Sequence, residues 1–372
     1  FWMWLIAVLG GASAFVESTL AQIYKKRGSD GSYGGPAYYI KQALKAPALG
    51  GVFAAFLILT YMGGFNALAS FNLTDFVKAY VPSDNATLYI GIVVALLSAI
   101  VIFGGGKRIS KATQVIVPIM AIAYIGVALL MIFFNIERFP SVIAGIFTGA
   151  FNFSSVAGGL FGAAVMNGIK RGLYSNEAGI GSAPNAAASA DVSHPVKQGL
   201  VQMLSVFIDT ILVCTATAMM CLCTGIEPSE SLKGAPFVQA SLEQTFGAAG
   251  PYFITIALLL FAFTTLLGNL FYCEGCLNYI AGRTISHRQL NVFHAFACIV
   301  VFIGAQMKFG LVWDIADVLM GIMALINLPV ILRLGGTAMR ALSDYMKQRR
   351  EGRDPVFKAK NIALKEKTDY WN

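Results

Sequence analysis

The chain has 372 residues, of which 57% are hydrophobic and only 12% charged, and a formal net charge of +8. A soluble globular domain carries about 25% charged residues, so the composition excludes a soluble enzyme or binding module and indicates a polytopic membrane protein. The positive balance does not indicate a nucleic-acid partner, because the Lys and Arg residues are spread over short loops and a tail rather than gathered in one module.

Taken in chain order, apolar stretches near the roughly 20 residues needed to cross a bilayer occur at 1–24, 50–80, 87–104, 112–134, 140–168, 197–225, 251–282, 289–306 and 310–333. Nine spans place the two ends on opposite sides. The sequence begins at Phe1 within an apolar run, which reads as a chain whose N-terminal part lies upstream. The segments 25–49, 105–111, 169–197, 283–288 and everything from 333 onward hold 23 of the 27 basic residues, while Lys78, Arg138, Lys233 and Lys308 fall on the other side. Cytoplasmic loops carry the Lys/Arg excess, so the N-terminus of this sequence is predicted outside and the C-terminus inside, in a cell membrane. On that topology Lys170 and Arg171 anchor the inner end of the fifth span. Asp314 and Asp317 lie at the outer end of the last span. The basic tail reads as a cytoplasmic amphipathic anchor against anionic lipid.

Several spans carry polar or flexible residues. The second contains Gly63, Gly64, Phe65 and Asn66, an amide beside flexible backbone that suits either a cavity or a packing notch. Residues 140–168 contain Asn152, Ser154, Ser155, Gly158, Gly159 and Gly162. Two readings stand open there: a helix broken at membrane depth where it lines a site, or close packing on small residues. In the seventh span Thr264 and Thr265 precede Gly268 and Asn269, which offers oxygen ligands for a hard cation such as Na⁺ or hydroxyls bonded back to their own helix. Glu17, Asp75, Asp209 and Glu274 lie at or near spans, and Asp209 and Glu274 suit either proton carriage or structural pairing. Cys214, Cys221, Cys223, Cys273, Cys276 and Cys298 all fall in apolar segments and read as packing residues, with the lone CxxC at Cys273–Cys276 leaving metal or redox chemistry as the alternative. The sequence contains no zinc-protease, nucleophile-elbow or Walker motif, and three histidines are few for acid–base chemistry. The expectation is a protein that is not an enzyme and needs no cofactor.

Four runs carry a family resemblance. FWMWLIAVLGG at 1–11, YGGPAYYI at 33–40, KRGLYSNEAGIGSAP at 170–184 and FAFTT at 261–265 together resemble the alanine or glycine:cation symporter family. The resemblance implies a LeuT-type fold of two inverted five-helix repeats that moves a small neutral amino acid with Na⁺. The nine spans then correspond to helices two to ten, and the first broken helix falls before Phe1. Residues 1–139 form the remainder of the first repeat, 140–333 the second, and 334–372 a cytoplasmic basic tail. The resemblance further implies substrate contacts from Phe65, Asn66, Gly158, Gly159, Phe161, Thr265 and Asn269, and sodium ligation by Thr264 and Thr265. Asn269 falls where alanine/glycine-type members carry a Trp, and Ala69 where many carry a Gln, which changes pocket size and polarity and admits a substrate such as glutamine. The reading is a sodium-coupled amino acid symporter; proton coupling and a non-transporting amino acid sensor are the alternatives.

Overall fold

The computed structural model describes residues 1–28, 31–103, 106–151, 160–229 and 232–371. Helix α1 (Trp2–Ile23) leads into strands β1 (Lys26–Gly28) and β2 (Gly31–Tyr33), paired antiparallel with Lys26 opposite Tyr33. After α2 (Pro36–Ala43), α3 (Pro47–Ile58) continues through a π-helical turn, Leu59–Phe65, into α4 (Asn66–Lys78). Then come α5 (Ala86–Phe103), α6 (Gly106–Phe134), α7 (Phe139–Ala150), α8 (Leu160–Asn176) and α9 (Ala183–Ala187). A second π-helical turn, Phe207–Cys214, joins α10 (Pro195–Val206) to α11 (Thr215–Leu222). The chain closes with α12 (Ala235–Phe246), α13 (Ala249–Ala281), α14 (His287–Ala305), α15 (Phe309–Arg350) and one 3-10 turn, Ala359–Ile362.

Many helix ends are readable in the residues. Proline occupies one of the first two positions of α2, α3, α7, α9, α10 and α12, where its missing N–H removes no helical hydrogen bond. Ser286 and Gln289 close a reciprocal capping box at the start of α14. Gly282 ends α13 at a φ of 65°, a left-handed conformation that suits glycine.

Counting α3–α4 and α10–α11 as one helix each, eight helices among the described residues are long and apolar enough to cross a membrane. The remaining expected span, 140–168, is represented by α7 and α8, and its middle, 152–159, lies outside the described residues. Large apolar side chains face outward along these helices: Ile122 is 72% exposed, Leu325 77% and Leu332 81%. Exposure on that scale suits a hydrocarbon surround rather than water. The buried core joins Phe53, Leu57, Tyr61 and Leu68 of α3–α4 to Ala316, Met320 and Met323 of α15 and to Leu270, Cys273 and Cys276 of α13. Where helices meet, small residues set the distance. A methyl group built on Gly304 of α14 would stand 2.4 Å from Ala67 Cα of α4, and one on Gly168 of α8 would stand 2.3 Å from Trp2 Cβ of α1.

The connecting segments collect at two ends. At one, Gln22 Nε2 of α1 donates to the carbonyls of Ala187 (2.5 Å) and Ala190 (2.8 Å), and Ser32 Oγ donates to Ala188 O at 2.8 Å. At the other, Gln239 Nε2 of α12 donates to Phe76 O (3.1 Å), Arg138 donates to Thr224 O, and Gln306 Nε2 donates to Thr87 O at 3.0 Å.

One expectation needs correction. Lys170 and Arg171 do not anchor the end where the basic loops collect. Helix α8 lies along the first half of α1, with Gly172 against Ile6, and both basic side chains pair with Asp317 of α15. Asp317 is therefore an ion-pair partner rather than an interfacial residue, because a carboxylate packed among helices needs a cation. The basic tail begins within a helix. Helix α15 runs unbroken to Arg350, and the chain then folds back in mostly irregular form.

That returning segment is tied down along its length. Lys197 pairs with Asp354 at 2.7 Å, the Phe357 N–H donates to Ser193 O at 2.9 Å, and Lys26 pairs with Asp369 at 2.8 Å. The Trp371 indole N–H donates to Gln22 O at 2.8 Å, and the Lys25 ammonium lies 4.7 Å from the centre of the Tyr370 ring. The rings of Phe357 and Tyr345 pack edge-on against the His194 ring, at 5.0 and 5.2 Å. His194 Nδ1 accepts from the Val196 N–H at 3.2 Å, so Nε2 carries the proton toward Asp344 at 3.3 Å. Burial lowers the His194 pKa despite the raising effect of Asp344, with Lys197 adding to the lowering.

Two predictions come from this packing. Gly304→Ala is expected to cost about 1–3 kcal/mol and to lower the melting temperature in detergent. Gly310→Ala, where nothing lies within 4 Å, should not lower it, since alanine suits a helix better than glycine. The docked tail favours neutral His194, whereas an uncovered imidazole titrates near pH 6.5. Docking stability is therefore intact above that value and falls as pH drops through it. Hydrogen exchange of the Phe357 and Ala359 amides, corrected for intrinsic rate, should accelerate between pH 7.5 and 5.5 (about one unit either side of that value), and His194→Gln should abolish the pH dependence.

Candidate functional site

The π-helical turn at Leu59–Phe65 widens the helix midway along its length, and such turns recur at functional positions. Immediately after it, Asn66 is fully buried and Asn269 of α13 is 3% exposed. Asn269 Nδ2 donates to Asn66 Oδ1 at 2.8 Å, which leaves Asn66 Nδ2 without a hydrogen-bond partner. Two residues expected at the substrate site, 203 positions apart in sequence, thus meet in the protein interior.

Phe65 belongs to an aromatic wall beside them. Its ring centre lies 4.8 Å from Tyr61 and 5.1 Å from Tyr174 of α8; Tyr61 is 5.3 Å from Tyr272 of α13, and Tyr174 5.0 Å from Trp313 of α15. The Arg171 guanidinium covers Trp313 at 4.1 Å while it pairs with Asp317. Glu177, at a φ of 54° just after α8, accepts from Ser182 Oγ at 2.7 Å and acts electrostatically on Tyr61, Tyr174 and Tyr272. Aromatic faces with a buried amide pair make the kind of mostly apolar, sparsely polar surface that holds small molecules.

The second π-helical turn carries Asp209, which accepts from Ser175 Oγ; Ser175 also lies 3.0 Å from Thr210 Oγ1 and 3.1 Å from Cys214 Sγ. A cleft of about 390 Å³ opens alongside, lined by Trp2, Trp4, Gly149, Asn167, Arg171 and Thr210 among others. Glu274, the other acid for which pairing was an alternative, lies 3.4 Å from His294.

The remaining expected site residues are placed differently. Thr264 Oγ1 donates to Phe261 O at 2.8 Å within its own helix, and Thr265 is exposed on the surface of α13, which stays continuous through both. Gly158 and Gly159 lie outside the described residues, as does the side chain of Phe161.

One polar cluster was only partly anticipated. Glu17 is fully buried in α1, and its Oε1 accepts from Asn327 Nδ2 of α15 at 2.5 Å. Asn327 Nδ2 also donates to Gly179 O (3.1 Å), and Asn327 Oδ1 accepts from the Tyr39 hydroxyl of α2 at 2.7 Å. Glu17 stood out in the sequence as an acid in an apolar run. Asn327 carried the same signal, an amide inside the apolar segment before Pro329, and was passed over. Tyr61, Tyr174 and Trp313 gave no signal, since aromatic residues are common in any span.

The model of the sodium:alanine symporter family matches residues 1–359. The amino-acid carrier protein AlsT of Bacillus subtilis is 45% identical over 371 residues, covering all of this chain and 78% of that protein. The probable sodium/glutamine symporter GlnT of the same organism is 42% identical over 96% of this chain and 74% of its own length. The sodium/alanine symporter AgcS of Methanococcus maripaludis is 38% identical over 91% and 75% respectively. With eight membrane-length helices and a match over nearly its whole length, the chain belongs to the sodium:alanine symporter family, a family of transporters and not of enzymes.

Proposed function

We propose that the protein is a secondary active transporter that carries a small neutral amino acid across the cell membrane together with Na⁺. The observation that carries this reading is the buried Asn66–Asn269 pair beside an aromatic wall, at a π-helical turn within a membrane-spanning bundle. Phe65, Asn66, Thr265 and Asn269 contact the substrate in this reading, joined by Gly158, Gly159 and Phe161. Relatives named for alanine and for glutamine are consistent with a neutral side chain, and the amide pair offers both donors and acceptors to one.

Two inverted repeats, 1–139 and 140–333, form the framework. Three helices of the first pack against their counterparts in the second: α1 on α10, α3–α4 on α13, and α5 on α14. The short helices α2 and α12 follow equivalent spans yet lie at opposite ends of the bundle, as an inversion requires. The Lys/Arg excess puts the tail end in the cytoplasm and Phe1 outside, and moving Lys170 and Arg171 out of the loop set leaves that sign unchanged.

Thr264 and Thr265 serve as sodium ligands. The Thr264 hydroxyl gives its proton to Phe261 O, so its lone pairs face away from that bond and remain available to a cation. Coupling follows if Na⁺ binds the substrate-competent conformation more tightly, because a ligand shifts an equilibrium only by its differential affinity.

Proteoliposomes carrying the full-length protein should take up labelled alanine, glycine or glutamine when an inward Na⁺ gradient is imposed, and Thr264→Ala with Thr265→Ala should abolish that uptake. Uptake driven by a pH gradient and indifferent to Na⁺ would replace sodium with proton coupling, and saturable binding without uptake would point to a sensor. Separately, Asn269→Ala strands the buried Asn66 amide and should cost about 1–3 kcal/mol of stability. Adding Asn66→Ala should recover part of that loss in thermal unfolding.

A further inference from the structure

Beyond the membrane-spanning part, the last third of α15 and the returning tail enclose a groove of about 1050 Å³. Five basic side chains line it: Arg340, Lys347, Arg353, Lys358 and Lys360. The two carboxylates in its wall are already engaged. Asp344 accepts from Gln348 Nε2 at 2.9 Å and stands 3.3 Å from both His194 and Asn361, while Asp354 pairs with Lys197 at 2.7 Å. Arg353 is paired with Glu351, and Arg340 reaches Thr337 Oγ1 at 3.2 Å. Lys347, Lys358 and Lys360 are left exposed, with no acidic partner among the described residues.

Like charges brought together around one concavity repel, and a multiply charged anion in the groove removes that cost. Ammonium groups suit phosphate as compact point charges, and guanidinium groups engage its oxygens in pairs. The Ser343 hydroxyl also lines the groove as a neutral donor. The volume lies at the top of the roughly 300–1,000 Å³ range of small-molecule sites, enough for more than one phosphate. We propose that this groove is a binding site for a phosphate-bearing polyanion, separate from the transport site.

A lipid headgroup and a soluble phosphate compound share that chemistry. Leu332 and Met339 are the last large apolar residues of α15 that are more than half exposed, at 81% and 52%. From Met339, at 1.5 Å per residue, Arg340 is the next residue and Lys347 lies about 12 Å farther along the helix. The polar layer of each leaflet is only about 5–8 Å thick, so the groove extends past the headgroups and its geometry favours the soluble anion.

The test uses the purified chain in neutral detergent at about 0.1 M salt, where charges beyond about 10 Å are screened. Pyrophosphate titrated by calorimetry should bind, and the triple variant Lys347→Gln, Lys358→Gln, Lys360→Gln should weaken it at least tenfold. All three positions are exposed, so folding should survive, and an unchanged circular dichroism spectrum and elution volume check this. Lys365→Gln with Lys367→Gln, exposed tail lysines outside the groove, should leave the affinity within about twofold. In nanodiscs, phosphatidic acid in place of phosphatidylcholine should not displace pyrophosphate; displacement, together with direct phosphatidic acid binding that the triple variant loses, would assign the same groove to a lipid headgroup. The proposal is overturned if neither pyrophosphate nor phosphatidic acid binds, or if both sets of lysine substitutions weaken binding equally, since net charge alone would then account for it.

Discussion

A polar side chain in hydrocarbon has no water to bond, so it must find its partner inside the protein. In this fold that constraint selects which helices touch. Asn66 meets Asn269, Glu17 meets Asn327, and Arg171 meets Asp317, across separations of 203, 310 and 146 residues. Each contact joins spans far apart in sequence, and between them they tie α1, α4, α8, α13 and α15 together. Helix association in lipid otherwise relies on close van der Waals packing, which the glycines at 168, 172 and 304 permit by bringing backbones near. Packing sets the distance between helices. Polar pairing selects the partner.

The two ends of the bundle are held unequally. At the tail end, the hairpin, α2, the segment 177–194 and the returning chain share a dense set of hydrogen bonds, ion pairs and ring contacts. The Glu17–Asn327–Tyr39 cluster brings α2 into the same assembly. The cleft beside Trp2 and Trp4 lies instead along the opening half of α1. A carrier that exposes its site to one side at a time needs such an asymmetry, with one end tied by contacts that can be exchanged as a set. The π-helical turns at Leu59–Phe65 and Phe207–Cys214 place their irregular hydrogen bonding between these ends, where a helix can change pitch without unwinding at a terminus.

Much of the architecture was legible in the residues, because the bilayer imposes a length and a composition on every span. Most long apolar runs became helices within a few residues of where they were read, though the last continues 17 residues past 333 to Arg350 and 140–168 is represented by two helices, and six proline-marked helix starts follow from chemistry local to each start. Asn66 and Asn269 could each be singled out as amides in apolar surroundings. Their pairing could not be read, since nothing local to either encodes the other. The same limit hid the aromatic wall, whose members Tyr61, Tyr174, Tyr272 and Trp313 come from four helices and look alike in any span. The docking of the returning tail was hidden for the same reason: its basic residues suggest an anchor against anionic lipid, while the contacts that pin it involve Trp371, Phe357 and Asp369, whose partners lie more than 160 positions away.

Charge shows where local reading ends. Arg171, Lys197 and Lys347 are equivalent by residue type, and a rule that counts cations in loops treats them alike. The fold separates them by what each one faces. Arg171 lies over Trp313 against Asp317 and joins two helices; Lys197 holds the returning tail through Asp354; Lys347 has no acid opposite it and lines a groove with others of its sign. A cation with a buried carboxylate partner is part of the framework, because removing either member strands the other. A cluster of cations left without acids is instead held at a standing electrostatic cost that an anion can relieve. The difference lies wholly in where the carboxylates fall, and that is a property of the folded chain rather than of any segment of it.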